Sequence, residues 1–289
     1  MKPHLIKTEQ ELQRIRALLN DFYFSQPDSY GLMHRDENDY LEYAEVIESV
    51  TPGNGSVLDF GCGTYKTPQL IHQRGFSVTG CDVFNEDKLE EYREALGPDG
   101  PKLVLYNGNA LPFPDSSFDT VASLCVIEHL SHAQDMLQEL ARVLKPGGHM
   151  VIIGPNMGGP HRSILAMHSL LFKKQSRFWQ YQNLLDSIGG LIKCWWLTAR
   201  LLISGKPQFV YIYPMLQNSS ILFEQPDDDA IQLNLPVSFK NWFRRAGFKM
   251  IEYNRSAGKA GLARLFNRIF PSFATKIHIV ARKKLNQAN

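Results

Sequence analysis

Residues 56–66, SVLDFGCGTYK, put the carboxylate of Asp59 at the end of an apolar run and follow it with Gly61 and Gly63, one residue apart around Cys62. Glycine carries no Cβ, so its backbone takes unusual angles and lets a ligand come close. In an open α/β sheet the first strand-to-helix turn is where a ligand meets the carboxyl ends of the strands. The dinucleotide fingerprint GxGxxG would place its third glycine at position 66, which is Lys66 here, and that weakens a pyrophosphate reading. The charge of Asp59 suits a cationic ligand better, because opposite charges a few ångströms apart attract strongly in a partly dry site. Asp82 follows the turn by about 20 residues, the distance at which an acid ending the second strand accepts both hydrogen bonds of a ribose diol. A plain tight turn and an ordinary strand-end cap are the competing readings of these residues.

A second group able to do chemistry is Glu128 and His129 in SLCVIEHL. An imidazole near its ordinary pKa of about 6.5 takes a proton from a hydroxyl nucleophile at neutral pH. His129 is the candidate base, with Glu128 orienting it or touching the substrate. The alternative is that the two residues only begin the next loop. His161 and His168 lie further along, where packing or surface roles compete with entry into a site.

The elements that must position these groups follow from the rhythm of the chain. Leu5, Leu12, Ile15, Leu18, Leu19 and Phe22 recur at helical spacing, and Tyr40, Ala44 and Ile47 do so again before Pro52. From residue 56 the pattern alternates short apolar strands with amphipathic helices, which predicts parallel βαβ units. The third helix of this alternation runs through SHAQDMLQELARVLKPGG and stops at Pro146 and Gly147; HMVIIGP is the fifth strand. Residues 158–236 break the alternation over a length far beyond the usual connection of about 2–6 residues. SFKNWFRRAGF, FKMIEYN and TKIHIVARKK then resume it.

Together these motifs resemble the class I S-adenosylmethionine-dependent methyltransferases, in particular the small-molecule, type 11 branch. The glycine motif of that family, D-x-G-x-G-x-G, reads here Asp59-Phe60-Gly61-Cys62-Gly63-Thr64-Tyr65, with Tyr65 in place of the last glycine. The resemblance implies Asp82 on the ribose and Val83 against the adenine. It also implies Asn109, replacing the usual acid, and the Ala110 amide on the adenine edge, and the Cys125 carbonyl on the methionyl ammonium. ARVLKPGGHMVIIGP is similar to the family's helix, turn and fifth strand.

The implied fold class is α/β: a Rossmann-like, doubly wound, mostly parallel seven-stranded sheet whose last strand is antiparallel. Its expected parts are an N-terminal helical lid (1–52), the first part of an S-adenosylmethionine-binding core (53–157), an inserted cap (158–236) and a core completion (237–289). The implied function is transfer of a methyl group from S-adenosylmethionine to a small or lipid-linked acceptor, at oxygen. An NAD(P)-dependent oxidoreductase, disfavoured by Lys66 and by the motifs after the third and fourth strands, and a catalytically silent binding or scaffold protein, left open by the departures at Tyr65 and Asn109, are the rivals.

Composition bounds the partners. The chain has 289 residues, is 44% hydrophobic and carries a formal net charge of +2, which supplies no one-sided field for nucleic acid. Four cysteines without CxxC spacing predict neither a disulfide framework nor a metal site and fit a reducing cytoplasm. The N-terminal stretch is broken by Lys7, Glu9, Glu11, Arg14 and Arg16, unlike a signal peptide. Within residues 184–204, Leu184, Ile188, Leu191, Ile192, Trp195, Ala199 and Leu202 share one side of a helical wheel, and Asp186, Lys193, Arg200 and Ser204 lie opposite. Charges there would cost roughly 2.5–3.5 kcal/mol each at a bilayer centre, so a spanning helix is not expected. Two expectations stay open: peripheral contact with a membrane surface, or an apolar face packed on the catalytic domain and walling the acceptor pocket.

Overall fold

The computed structural model describes residues 5–25, 37–83, 86–173, 181–217, 220–221, 227–254 and 269–285. Two helices, α1 (Glu9–Ser25) and α2 (Glu37–Val50), precede β1 (Ser56–Phe60), α3 (Lys66–His72), β2 (Ser77–Asp82), α4 (Glu86–Leu96), β3 (Lys102–Leu105) and β4 (Phe118–Leu124). A 3-10 turn (Ile127–His129), α5 (Ala133–Val143) and β5 (Leu144–Pro155) follow. Next come α6 (Pro160–Lys173), α7 (Leu184–Ser204) and the short strands β6 (Val210–Tyr211), β7 (Leu216–Gln217), β8 (Ser220–Ile221) and β9 (Gln232–Leu233). The chain closes with α8 (Pro236–Arg245), β10 (Phe248–Tyr253) and β11 (Lys276–Lys283).

The main sheet has seven strands in the order β10-β11-β5-β4-β1-β2-β3. β11 runs antiparallel to both of its neighbours, while β5, β4, β1, β2 and β3 pair parallel. Alternation along buried strands feeds two cores, because successive side chains leave a strand on opposite faces. Leu58, Val121, Ile152 and Ile279 join α5 and α8 on one side. Their neighbours Val57, Ala122, Val151 and Val280 join Tyr43, Ala44 and Ile47 of α2 and Ile71 of α3 on the other. α2 is therefore a layer of the sheet sandwich, whereas α1 packs Leu12, Ile15 and Leu19 against Ile231 of the inserted region.

Two expectations are corrected. α5 ends at Val143 because Leu144 is already extended (φ −79°, ψ 131°), so Pro146 and Gly147 lie inside β5 and do not stop the helix. The apolar face of α7 does not pack inward. The helix buries Ser187, Cys194, Leu197, Thr198 and Leu201, while Ile188, Ile192 and Leu202 face outward at 45–64% exposure and half-exposed Trp195 rests its ring on Phe273, with centroids 4.3 Å apart.

Candidate active site

The turn after β1 is held by backbone geometry. Gly61 (φ 72°), Gly63 (φ 55°) and Tyr65 (φ 57°) all take the left-handed region within five residues. At Gly61 a Cβ would stand 2.1 Å from a methyl of Val126, so both angle and space require glycine. Tyr65 adopts the conformation expected of the missing third glycine; its ring packs edge-on against Tyr92, with centroids 5.0 Å apart. A Gly61→Ala variant accordingly combines left-handed strain with overpacking and loses about 2–5 kcal/mol of stability. Thermal unfolding followed by circular dichroism checks this, and an unchanged midpoint contradicts it.

Asp59 lies behind the turn, 1% exposed, and does not line the cavity in front of it. Its carboxylate accepts from Tyr43 Oη at 2.8 Å and from Thr67 Oγ1. Burial raises its pKa to about 6 despite these two donors. Asp59 thus ties β1 to α2 and α3 and shapes the glycine turn from beneath.

Asp82 faces the cavity. Its Oδ2 accepts from Gly63 N–H and its Oδ1 from Val83 N–H, both at 2.7 Å. Each carboxylate oxygen has a further lone pair with which to accept. Burial pushes its pKa up, against the pull of the two backbone donors. Across the crossover, Cys125 takes a left-handed φ of 54° after β4, a sparsely populated state of the kind concentrated at ligand sites. Gly61, Cys62, Gly63, Asp82, Val83, Cys125 and His129 all line this one cavity, along with Arg16, Leu19 and Asn20 of α1.

Asn109 and Ala110 stand exposed on the loop after β3, outside the cavity wall. Asn107 Oδ1 accepts from the Asn109 N–H at 3.0 Å and from the Ala110 N–H at 3.4 Å. Arg16 donates to Gly108 O at 3.2 Å and to Asn109 Oδ1, so α1 is latched over this edge of the site.

The 3-10 turn after β4 presents His129 to the cavity and tucks Glu128 beneath it at 1% exposure. Sequence reasoning missed the partner that decides the state of His129: its Nδ1 lies 3.2 Å from Asp229 Oδ2. Its Nε2 is 3.9 Å from Glu128 Oε1. Burial pulls the imidazolium pKa down, but the carboxylates of Asp229, Glu128 and Asp227 outweigh it and push the value up to about 9. The expectation of a histidine titrating near 6.5 is thereby corrected, because three acids surround it. The run Asp227-Asp228-Asp229 is docked there by backbone pairing of Ile231 N–H with Glu128 O at 2.9 Å. Gln232 Nε2 adds a bond to Ile127 O at 3.0 Å. Glu128, His129 and Asp227 also offer donor atoms within 4.8 Å of one another, a set that a divalent cation would fit. His161, its pKa lowered to about 4 by burial, and His168, stacked near Phe172, do not line the cavity.

A seven-stranded sheet in this order, with a glycine turn after β1 and an acid ending β2, defines the Rossmann-like methyltransferase fold. Residues 58–152 match the family model described as a methyltransferase domain. They form a class I S-adenosylmethionine-dependent methyltransferase domain of the type 11 branch. A ubiquinone/menaquinone biosynthesis C-methyltransferase of Desulfotalea psychrophila is 34% identical over 110 residues, 37% of this chain and 44% of that one. A 2-methyl-6-phytyl-1,4-hydroquinone methyltransferase of Synechocystis is 34% identical over 108 residues, 37% of this chain and 33% of that one. The chain thus spans half the length or less of these curated relatives.

Among solved structures, the Burkholderia thailandensis 1,6-didemethyltoxoflavin-N1-methyltransferase, with its substrate and S-adenosylhomocysteine bound, aligns with a TM-score of 0.56 and 12% identity. It covers 98% of this chain and 100% of its own. The cyclase SpnF aligns with a TM-score of 0.51 and 15% identity over 99% of both chains. These likenesses concern the fold; the reaction is argued from the site.

Proposed function

We propose that the protein transfers the methyl group of S-adenosylmethionine to an oxygen of a small, hydrophobic or lipid-linked acceptor at a membrane surface. The observation that carries this reading is the juxtaposition, in one cavity, of the Gly61–Gly63 turn, the Asp82 carboxylate and His129. The residues fit the cofactor: a left-handed glycine turn without Cβ atoms meets a carboxylate whose remaining lone pairs suit a vicinal diol. When bound, the cofactor supplies an electrophilic methyl group on a sulfonium.

The chain's own residues then have three tasks. Asp82 and the turn hold the adenosyl half, and the apolar walls contributed by buried Leu124 and half-buried Val126 and Leu130 keep water from the reacting groups. Asp229 fixes the His129 ring through Nδ1, leaving Nε2 to take the acceptor's proton once the imidazole is neutral. Any cation bound in the cavity favours that neutral form by repulsion. Methylation at carbon, in the manner named for the Desulfotalea and Synechocystis relatives, needs the same placement and also a proton acceptor. Incubation with S-adenosylmethionine labelled in the methyl group, followed by organic extraction and base hydrolysis, tests the reading. Label in an extractable ether or ester supports it, and titrable NAD(P) with no S-adenosylhomocysteine affinity overturns it.

The membrane part of the reading rests on α6 and α7. Of the eighteen large apolar side chains exposed among the described residues, four lie on α6 and eight on α7, so the hairpin concentrates surface that water disfavours. Arg200 lies over the ring of Trp196 at 5.4 Å, an arrangement suited to an interface with anionic headgroups. No helix among the described residues is long and apolar enough to cross a membrane, so contact would be in the plane of the surface. The intact protein is expected to float with anionic liposomes and the Trp195→Ser, Trp196→Ser variant to remain below. Equal failure of both to float removes the membrane part.

A further inference from the structure

A second cavity, of about 290 Å³, lies behind α7 and shares no lining residue with the first. Its walls are apolar: Leu185, Leu197, Ile212, Leu233 and Leu235 supply most of them. Two charged residues, Asp186 and Lys193, border it. Asp186 is committed to the helix start, where its carboxylate accepts from Asn183 Nδ2 at 2.8 Å and its N–H is capped by Asn183 Oδ1 at 2.9 Å. Lys193 has no carboxylate within ion-pair distance among the described residues, and burial lowers its pKa.

Two successive glycines sit in the second turn of α7, inside the helix, where each costs about 1 kcal/mol against alanine. Packing explains one of them, since a Cβ at Gly190 would stand 2.3 Å from the Tyr181 ring. Packing does not explain Gly189, whose Cβ would meet no atom within 4 Å. Gly189 is exposed at the edge of the cavity, where a large side chain would have room to cover the opening.

β9 divides the two cavities. Gln232 bonds to Ile127 O in the turn that carries His129, while the next residue, Leu233, walls the apolar cavity. Consecutive strand residues point to opposite faces, so β9 backs the His129 turn on one side and the apolar cavity on the other. We propose that the apolar cavity receives the hydrocarbon chain of an anionic amphiphile, with Lys193 pairing its negative group. Because β9 stands between this space and the turn that carries His129, the amphiphile is assigned to a chain site of its own, separate from the methyl-transfer cavity of the reading above. The hydrocarbon walls exclude nucleotides and sugars, and Lys193, with Asp186 engaged by Asn183, favours an anionic over a neutral amphiphile.

Titration of the full chain with 11-(dansylamino)undecanoic acid, read by dansyl fluorescence without vesicles, tests the assignment. Saturable binding at one site per chain is expected. Gly189→Phe places a ring in the open space and weakens binding at least tenfold, while Gly189→Ala, which adds one methyl to a better helix former, changes it less than threefold. Lys193→Met weakens the acid several-fold and leaves the corresponding dansyl alcohol unaffected. Non-saturable fluorescence, or a Gly189→Phe variant that binds like the parent, overturns the proposal. S-adenosylhomocysteine affinity, measured on the same samples, reports folding of the variants. Its loss in the parent protein, with dansyl binding intact, removes the methyltransferase reading and leaves the chain site standing.

Discussion

An Asp82→Ala variant loses about a hundredfold or more in affinity for S-adenosylhomocysteine while it still unfolds cooperatively. Two hydrogen bonds from a diol to an ionised acceptor are worth about 1.5–3 kcal/mol each, and about 2.7 kcal/mol is already a hundredfold. The variant also leaves Gly63 N–H without its acceptor, so part of the loss comes from a turn that is no longer held. Asp82→Asn separates the two effects: its amide oxygen still accepts one backbone bond, and its lost charge weakens the diol contact. The expected order of affinity is parent, then Asn, then Ala, measured by isothermal titration. An Asp82→Ala variant with parental affinity removes the assignment of this cavity to an adenosyl ligand.

Parallel strands buried on both faces read as apolar runs, and the helices between them carry their own period. For that reason β1, β2, β4 and the glycine turn were legible in the residues. Asp82 was legible because its distance from the turn is set by one strand–helix–strand unit. The partner of His129 was not, since the run at Asp227–Asp229 reaches the site only through tertiary pairing of the inserted region with the turn at Ile127–His129. Three acids set before the apolar stretch AIQL, in a region otherwise rich in aromatic and basic residues, were the available signal. The orientation of α7 was illegible for a different reason. Periodicity shows that a helix has an apolar side and says nothing of what covers it. The resemblance implies Asn109 on the adenine edge; that Arg16 donates to its side-chain oxygen was illegible, because the contact joins residues far apart in the chain.

Asp229→Asn is expected to lower the pKa of His129 by about 1–3 units, from about 9 toward the ordinary value near 6.5. The direction follows from the pair: Asp229 is the chief group raising the value against burial, so removing its charge leaves desolvation and the weaker pull of Glu128 and Asp227. Nitrogen-detected NMR titration of the imidazole reads this without an acceptor. The same pair links to stability. A histidine whose folded pKa lies above its unfolded one stabilises fully below pH about 6.5, and that contribution is lost as the pH rises through about 9. In the Asn variant the loss begins and ends at lower pH. If His129 takes the acceptor's proton, kcat/KM rises with pH along the same limb, because that parameter reports the free enzyme's base. The limb then moves to lower pH in Asp229→Asn, so the variant gains on the parent near neutrality even as positioning of the ring weakens. His129→Gln should abolish the limb and cost about 10²–10⁴-fold. A purely structural role for the pair predicts something else: lower thermal stability in both variants with a pH–rate profile superimposable on the parent's. That result would take the proton-transfer role away from His129 and leave Asp229 as a clamp that docks the inserted region on the site.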